Sequence, residues 1–264
     1  MDITTWAKDV GTLSREVGAF MRTEQRKITE NQVETKSLNS LVSYVDKRAE
    51  ALFVEGLAQI VPQAGFWTEE ETVDRDSSQE FTWVVDPLDG TTNFLHGLPI
   101  FSTSVALLHH GEPIIGVVYE VGMDELFVGV KGHGATLNGQ PIQVTQTAVL
   151  SNSLLATGFP YYNFDKLAGF QSVLAHFYQH TRGIRRFGTA AVDLCYTACG
   201  RFDGYYEYGL NPWDVLAGVV IVREAGGKAT DFTRSETGID GSTIVVSNGP
   251  LHNAILAPIE EHMM

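Results

Sequence analysis

Cysteine is nearly absent from this 264-residue chain, and the two that occur, Cys195 and Cys199, lie four positions apart in a segment that reads as helix. That excludes a disulfide scaffold or a zinc knuckle and leaves two small apolar residues of a reducing compartment. Positive charge is scarce as well: 18 Lys and Arg stand against 32 Asp and Glu, for a net charge of −14 and a pI near 4.9. A nucleic-acid backbone or an anionic bilayer would be repelled, so neither is an expected partner. Long apolar runs are missing too. The longest, Val219 to Val222 with its neighbours, is far too short to span a bilayer, and Met1 to Thr5 has neither the basic start nor the apolar stretch of a secretion signal. A cytoplasmic protein is the expectation. No Gly-x-Ser-x-Gly elbow, Walker loop, His-Glu-x-x-His helix or dinucleotide glycine fingerprint occurs. The eight histidines are scattered, and His109-His110 falls in a predicted hairpin turn.

What is present is a core-forming composition, 44% hydrophobic and 19% charged, enough for one large domain or two fused halves. Trp6, Val10, Leu13, Val17 and Phe20 recur at helical spacing behind Thr4 and Thr5 as caps, and Val45, Ala49, Leu52 and Ile60 mark a second helix ended by Pro62. From Phe101 to Val130 the pattern becomes an antiparallel meander of three strands. After about Leu150 strands and helices alternate: a strand at Leu154 to Ala156, a helix through Leu167 to Tyr178, a strand at Ile184 to Phe187, and a helix from Thr189. Tyr205 to Tyr208 reads as a strand. The next helix has Asn211 as cap, Pro212 in the first turn and Gly226 just past its end. A last strand, Thr243 to Val246, precedes a C-terminal helix. The expected organisation is an α+β half over residues 1–145 and an α/β half over 146–264, packed as one unit.

The most informative stretch runs Trp83-Val84-Val85-Asp86-Pro87-Leu88-Asp89-Gly90-Thr91-Thr92-Asn93-Phe94. An apolar strand, Phe81 to Val85, ends where Asp86-Pro87 opens a four-residue turn, and proline at its second position presets φ. Asp86 and Asp89 then come round to one side while the Leu88 carbonyl swings outward. Hard divalent cations such as Mg²⁺ take such oxygen sets, and the backbone N–H groups of Gly90 and Thr91 suit an anion beside the cation. A solvated Asp-Pro-Gly loop is the competing reading of the segment in isolation. Two other segments bear on the choice. Phe66-Trp67-Thr68-Glu69-Glu70-Glu71 sets an apolar stretch against an acid run that could equally be surface, and Asn211-Pro212-Trp213-Asp214 opens an apolar helix whose acid the helix dipole alone would favour.

Together these segments resemble the inositol monophosphatase family of Mg²⁺-dependent, lithium-sensitive phosphatases. Asp86 to Phe94 is similar to the family's first signature and Trp213 to Gly227 to its second. Gly116-Val117-Val118-Tyr119, Lys131-Gly132-His133-Gly134-Ala135, Asn138-Gly139, Gly188-Thr189-Ala190-Ala191 and Tyr205-Tyr206-Glu207 follow in the family's order. The resemblance implies a layered α-β-α-β-α sandwich of the sugar phosphatase type and a homodimer. It further implies that Asp214 joins Asp86, Leu88 and Asp89 as a metal ligand and that Glu69 bridges metal and attacking water. Glu70 is then a supporting acid, although Thr68 stands where the family has glycine. Lys36 matches the family's N-terminal lysine and Asp46 the aspartate that backs the active-site threonine, here Thr91. Gly90, Thr91 and Thr92 would hold phosphate. Thr189 and Ala190, opening a helix, could donate to substrate hydroxyls, and Glu207 lies where family members contact the polyol.

The implied activity is Mg²⁺-dependent hydrolysis of a phosphate monoester by an activated water, with inositol 1-phosphate as substrate and about two or three ions assisting. The resemblance also admits a 3′-phosphoadenosine 5′-phosphate or fructose 1,6-bisphosphate phosphatase, or a catalytically silent relative that binds metal or a sugar phosphate. The phosphate half of such a site is written clearly in the sequence. The alcohol half is not.

Overall fold

A computed structural model describes residues 2–25, 27, 33–37, 40–161 and 163–264, those of 33–42 by backbone alone. A long helix, α1 (Ile3–Glu24), starts on Asp2, whose carboxylate accepts from the Thr5 N–H at 3.1 Å and from the hydroxyls of Thr4 and Thr5. The two threonines expected as caps therefore donate to the cap. An aspartate one turn earlier meets the orphan N–H groups and the dipole better than a hydroxyl does. A small ribbon, β1 (Val33–Ser37) and β2 (Ser40–Ser43), leads into α2 (Tyr44–Ile60).

Both helices cover one face of a seven-stranded sheet. It runs β3 (Gly65–Thr68), β4 (Phe81–Asp89), β5 (Ser102–His109), β6 (Glu112–Glu120), β7 (Glu125–Val130), β8 (Gly134–Leu137) and β9 (Gln140–Pro141), in that spatial order. Only β3 against β4 is parallel, so the predicted meander is the body of a larger sheet. Val10, Val17, Phe53, Leu57, Trp83, Val117 and Tyr119 fill the layer between helices and sheet.

On the opposite face lie α5 (Ala190–Ala198) and α6 (Pro212–Glu224), which a second sheet covers in turn. That sheet orders β11 (Ile184–Arg185), β10 (Leu155–Thr157), β12 (Gly204–Tyr208), β14 (Thr243–Ser247) and β13 (Lys228–Thr230). It is mixed: β10 pairs in parallel with β11 and β12, while β14 runs antiparallel to β12 and β13. The strand expected to reach Phe187 stops at Arg185, because Gly188 at φ +88 turns the chain into α5. Outermost are α4 (Leu167–His180) and α7 (His252–Met263), with Phe170, Phe177, Tyr206, Val245 and Ile255 between them and the second sheet.

The layers thus run α, β, α, β, α, as expected for the sugar phosphatase sandwich. Sandwiched between two sheets, α6 is apolar around its whole circumference, from Val215 to Val222. It seats closely on the first sheet because Gly116 lies beneath it: a Cβ there would come within 2.1 Å of the Ala217 carbonyl oxygen. The described helices include none long and apolar enough to cross a membrane.

Candidate active site

Across the β4–β5 ladder Asp86 pairs with Ser104 and Asp89 with Ser102, so Pro87 and Leu88 lie between these rungs on one strand and only Thr103 on the other. Side chains three apart on a regular strand face opposite ways, and one inserted residue brings them to the same side. Asp86 and Asp89 are therefore paired by a bulge. The sequence reading placed them in a turn after Val85, but the strand continues to Asp89. Pro87 fits because a bulge does not require its N–H, and the Leu88 N–H donates to Asp86 Oδ1 at 2.9 Å.

Gly90 follows at φ +92, a conformation that costs other residues and reverses the chain into α3 (Thr91–Leu95). Thr91 begins that turn. Its hydroxyl lies 3.1 Å from the Leu88 carbonyl oxygen and 3.2 Å from Asp46 Oδ1. Asp46 Oδ2 accepts from the Ser43 N–H at 2.8 Å and the Ser43 hydroxyl at 2.7 Å, which locks the carboxylate into the start of α2. Burial raises the Asp46 pKa above the usual carboxylate value, and these bonds oppose the rise.

Glu69 lies just beyond β3, its N–H on the Val85 carbonyl at 3.1 Å. The loop that carries it is organised by a residue the sequence reading did not single out. Glu50, fully buried in α2, accepts from the Thr68 hydroxyl at 2.9 Å, the Glu70 N–H at 2.6 Å, and the Thr72 N–H and hydroxyl at 2.7 Å each. Thr68, standing where the family has glycine, thereby serves as one of the loop's four anchors. Glu70 joins through its backbone and lies outside the cleft lining.

The far wall comes from the second half of the chain. Asp214, third residue of α6, accepts from the Asn211 N–H at 2.7 Å, so it caps its helix and faces the cleft at once. Asp89 Oδ2 accepts from the Thr189 hydroxyl at 2.5 Å and from the Ala191 N–H at 2.8 Å. Thr189 and Ala190 were read as backbone donors to substrate; both line the cleft, and the Thr189 hydroxyl is engaged by Asp89. Glu207, the last but one residue of β12, is buried and accepts from the Tyr205 hydroxyl.

Glu69, Asp89, Gly90, Thr91, Thr92, Thr189, Ala190, Glu207 and Asp214 all line one cleft of about 170 Å³. Asp86 and Leu88 lie buried beside it, 2% and 1% exposed. Burial, then Glu69, Asp89 and Asp214 in turn, hold the Asp86 pKa well above the normal range. Burial likewise raises Asp89 to about 6, Asp214 to about 8 and Glu207 to about 7. Carboxyls that resist ionising together in one cleft form an oxygen donor set short of positive charge, which suits hard divalent cations.

The inositol monophosphatase family model matches residues 3–264. The chain belongs to that family. An inositol-1-monophosphatase of Synechocystis is 39% identical over 254 residues, 96% of this chain and 88% of the relative. Nus factor SuhB of Escherichia coli is 38% identical over 228 residues, 86% of this chain and 85% of the relative. The solved inositol monophosphatase of Anabaena (Nostoc) superposes with a TM-score of 0.86 at 35% identity, over 99% of this chain and 98% of that one.

Further residues of this inositol monophosphatase family member escaped the sequence reading, among them Gly158, Tyr161, Arg186 and Asp193, which line the same cleft. Arg186 could have been noticed, since it lies two residues before Gly188 in a chain poor in cations. The side chain of Lys36, in β1, lies outside the described residues. His109 and His110 form a group with Glu80 whose ligand atoms lie within 4.8 Å of one another, at the surface and apart from the cleft. His109 stacks on Phe81 at 4.8 Å and meets Glu80 at 3.1 Å, so it is held more firmly than a solvated turn residue.

Proposed function

We propose that the chain hydrolyses the phosphate monoester of a polyol, inositol 1-phosphate foremost, with Mg²⁺ held by Glu69, Asp86, the Leu88 carbonyl, Asp89 and Asp214. The chain is a phosphoric monoester hydrolase of the inositol monophosphatase family. The observation that carries the finer reading is the convergence of those carboxyls on one cleft with the Gly90–Thr91 backbone on one side and Glu207 on the other.

A bound divalent cation supplies positive charge at the phosphate oxygens and lowers the pKa of nearby water. The chain's own groups supply position and proton traffic. With its proton directed to Asp46, the Thr91 hydroxyl offers a lone pair that accepts from the attacking water. Glu69 takes the second proton of that water as its oxygen bonds to phosphorus. The bond from phosphorus to the alcohol oxygen breaks in line, the departing oxygen takes a proton from solvent, and Glu69 releases the one it took to solvent. Gly90, Thr91 and Thr92 hold the phosphate through backbone N–H groups. Glu207 accepts from a hydroxyl of the alcohol, with Ala190 opening α5 beside it. No phosphorylated side chain is required.

The Nus factor name of the Escherichia coli relative raises a role other than catalysis. Retention of all four acids and the threonine in one cleft favours the enzyme. Assaying polyol, nucleotide and sugar bisphosphate esters with Mg²⁺, with lithium added and after exhaustive chelation, tests the proposal. Turnover of inositol 1-phosphate that chelation abolishes is the expected result. Full-rate hydrolysis in chelator would refute the metal assignment, and preference for a nucleotide or bisphosphate would replace the polyol.

A further inference from the structure

The cleft wall carries five carboxyl side chains, Glu69, Asp89, Asp193, Glu207 and Asp214, and among the described residues a single cation, Arg186. The Arg186 guanidinium is firmly placed. It donates to the Tyr161 hydroxyl and lies against the Tyr161 ring at 5.2 Å and the Phe159 ring at 5.4 Å. Gly188 makes room for it: a Cβ there would stand 2.5 Å from one terminal nitrogen. The charge of Arg186 acts on Asp89, Asp193 and Glu207 together. Yet no ion pair joins it to any of them among the described residues, and its buried Nε has no partner.

A planar donor fork held by two aromatic rings, facing carboxylates it does not close upon, is arranged to leave room between donor and acceptor. We propose that Arg186 is the specificity residue for the alcohol half of the substrate. It donates to the oxygen of one hydroxyl while Glu207 accepts from its neighbour, so the cleft selects phosphate esters of vicinal diols. This rests on the polyol reading above and adds the donor that Glu207 lacks. A second phosphate is the other group a guanidinium could take, and the bisphosphate in the test below separates the two. A hydroxyl can both donate to Glu207 and accept from Arg186.

The test compares kcat/KM of the wild-type chain, Arg186→Gln and Arg186→Lys on inositol 1-phosphate, p-nitrophenyl phosphate and fructose 1,6-bisphosphate. Loss of a charge-assisted bond lowers the polyol-to-aryl ratio roughly ten- to a hundred-fold in Arg186→Gln, chiefly through KM. Arg186→Lys restores part of it. Equal losses on polyol and aryl esters, an unchanged ratio, or a loss confined to the bisphosphate would each overturn the inference. A wild-type chain that turns over no polyol phosphate overturns the functional reading itself, a result seen before any variant is made. Should Arg186→Gln fail to fold, Tyr161→Phe loosens the same fork and shifts the ratio the same way by less; no shift there counts against the proposal.

Discussion

At the scale of single residues the acids of the cleft work against the fold that holds them, and this gives Asp86 an unusual signature. Asp86→Asn keeps the side chain's shape and removes the cost of keeping a buried carboxyl, ionised or protonated, among three other acids. In chelator the variant melts at a higher temperature than the wild type, yet with Mg²⁺ its kcat falls by at least ~10². Parallel thermal melts and steady-state kinetics check both halves; a folded variant of normal kcat would mean that the site is placed wrongly. Gly158 gives the second residue-scale expectation. A Cβ there would lie 1.9 Å from the Glu207 carboxylate oxygen. Gly158→Ala therefore displaces that carboxylate and lowers kcat/KM for inositol 1-phosphate by ~10-fold or more, while p-nitrophenyl phosphate is less affected. Equal losses on the two esters would argue against Glu207 as a recognition group.

At the scale of elements, the parts legible in the sequence were those with a period or a cap: the helices of Trp6 to Phe20 and Trp213 to Glu224, and the meander from Phe101. The pairing of Asp86 with Asp89 was legible too, but for the wrong geometric reason. Asp-Pro-Leu-Asp-Gly has the composition of a turn, and only the partner strand's register reveals a bulge. Glu50 was unreadable for a similar reason. A glutamate in a helix looks solvated until a loop eighteen residues on folds over it. Arg186 and Gly158 matter through contacts with Tyr161 and Glu207, and no local pattern announces such contacts. Glu50 also supplies the test at this scale. Glu50→Ala takes the acceptor from four loop donors, of which the Thr68 hydroxyl is buried, costing ~1–3 kcal/mol of stability. Because the loop carries Glu69, the concentration of Mg²⁺ giving half-maximal activity rises as well. A destabilised variant with unaltered Mg²⁺ dependence would show that Glu50 serves the fold alone.

At the scale of the whole molecule, pH acts on the raised carboxyls. Asp89, Asp214 and Glu207 bind protons more tightly folded, at about 6, 8 and 7, than at their ordinary values of 3.8 and 4.5. Between about pH 4 and 8 the native state therefore holds more protons than the unfolded chain, and stability falls as pH rises through that window. Buried His252, bonded to Thr230 and Ser247 at 2.9 Å each, is pushed down to about 4 and adds the opposite slope. Its contribution is lost as pH falls from 6.5 toward 4. Divalent cations relieve only the carboxyl component and compete with its protons. The rise in melting temperature on adding Mg²⁺ should accordingly grow from pH 5.5 to pH 8, as scanning fluorimetry with and without chelator would show. A Mg²⁺ increment independent of pH would mean that the cation binds elsewhere.

The middle helical layer has a consequence for how the molecule comes into being. Asp86 and Asp89 belong to strands complete by residue 109, whereas Asp214 arrives with α6, and the sheet that covers α6 closes only with β14 at Ser247. During synthesis these two proposed ligands emerge before the third acid of the set. One side of the apolar girdle of α6 can settle on the first sheet at once, but the other stays uncovered until the second sheet exists. On the proposed assignment the cation set is completed only late in synthesis, and a polypeptide interrupted before β14 lacks the strand that links β12 to β13 in the sheet over α6.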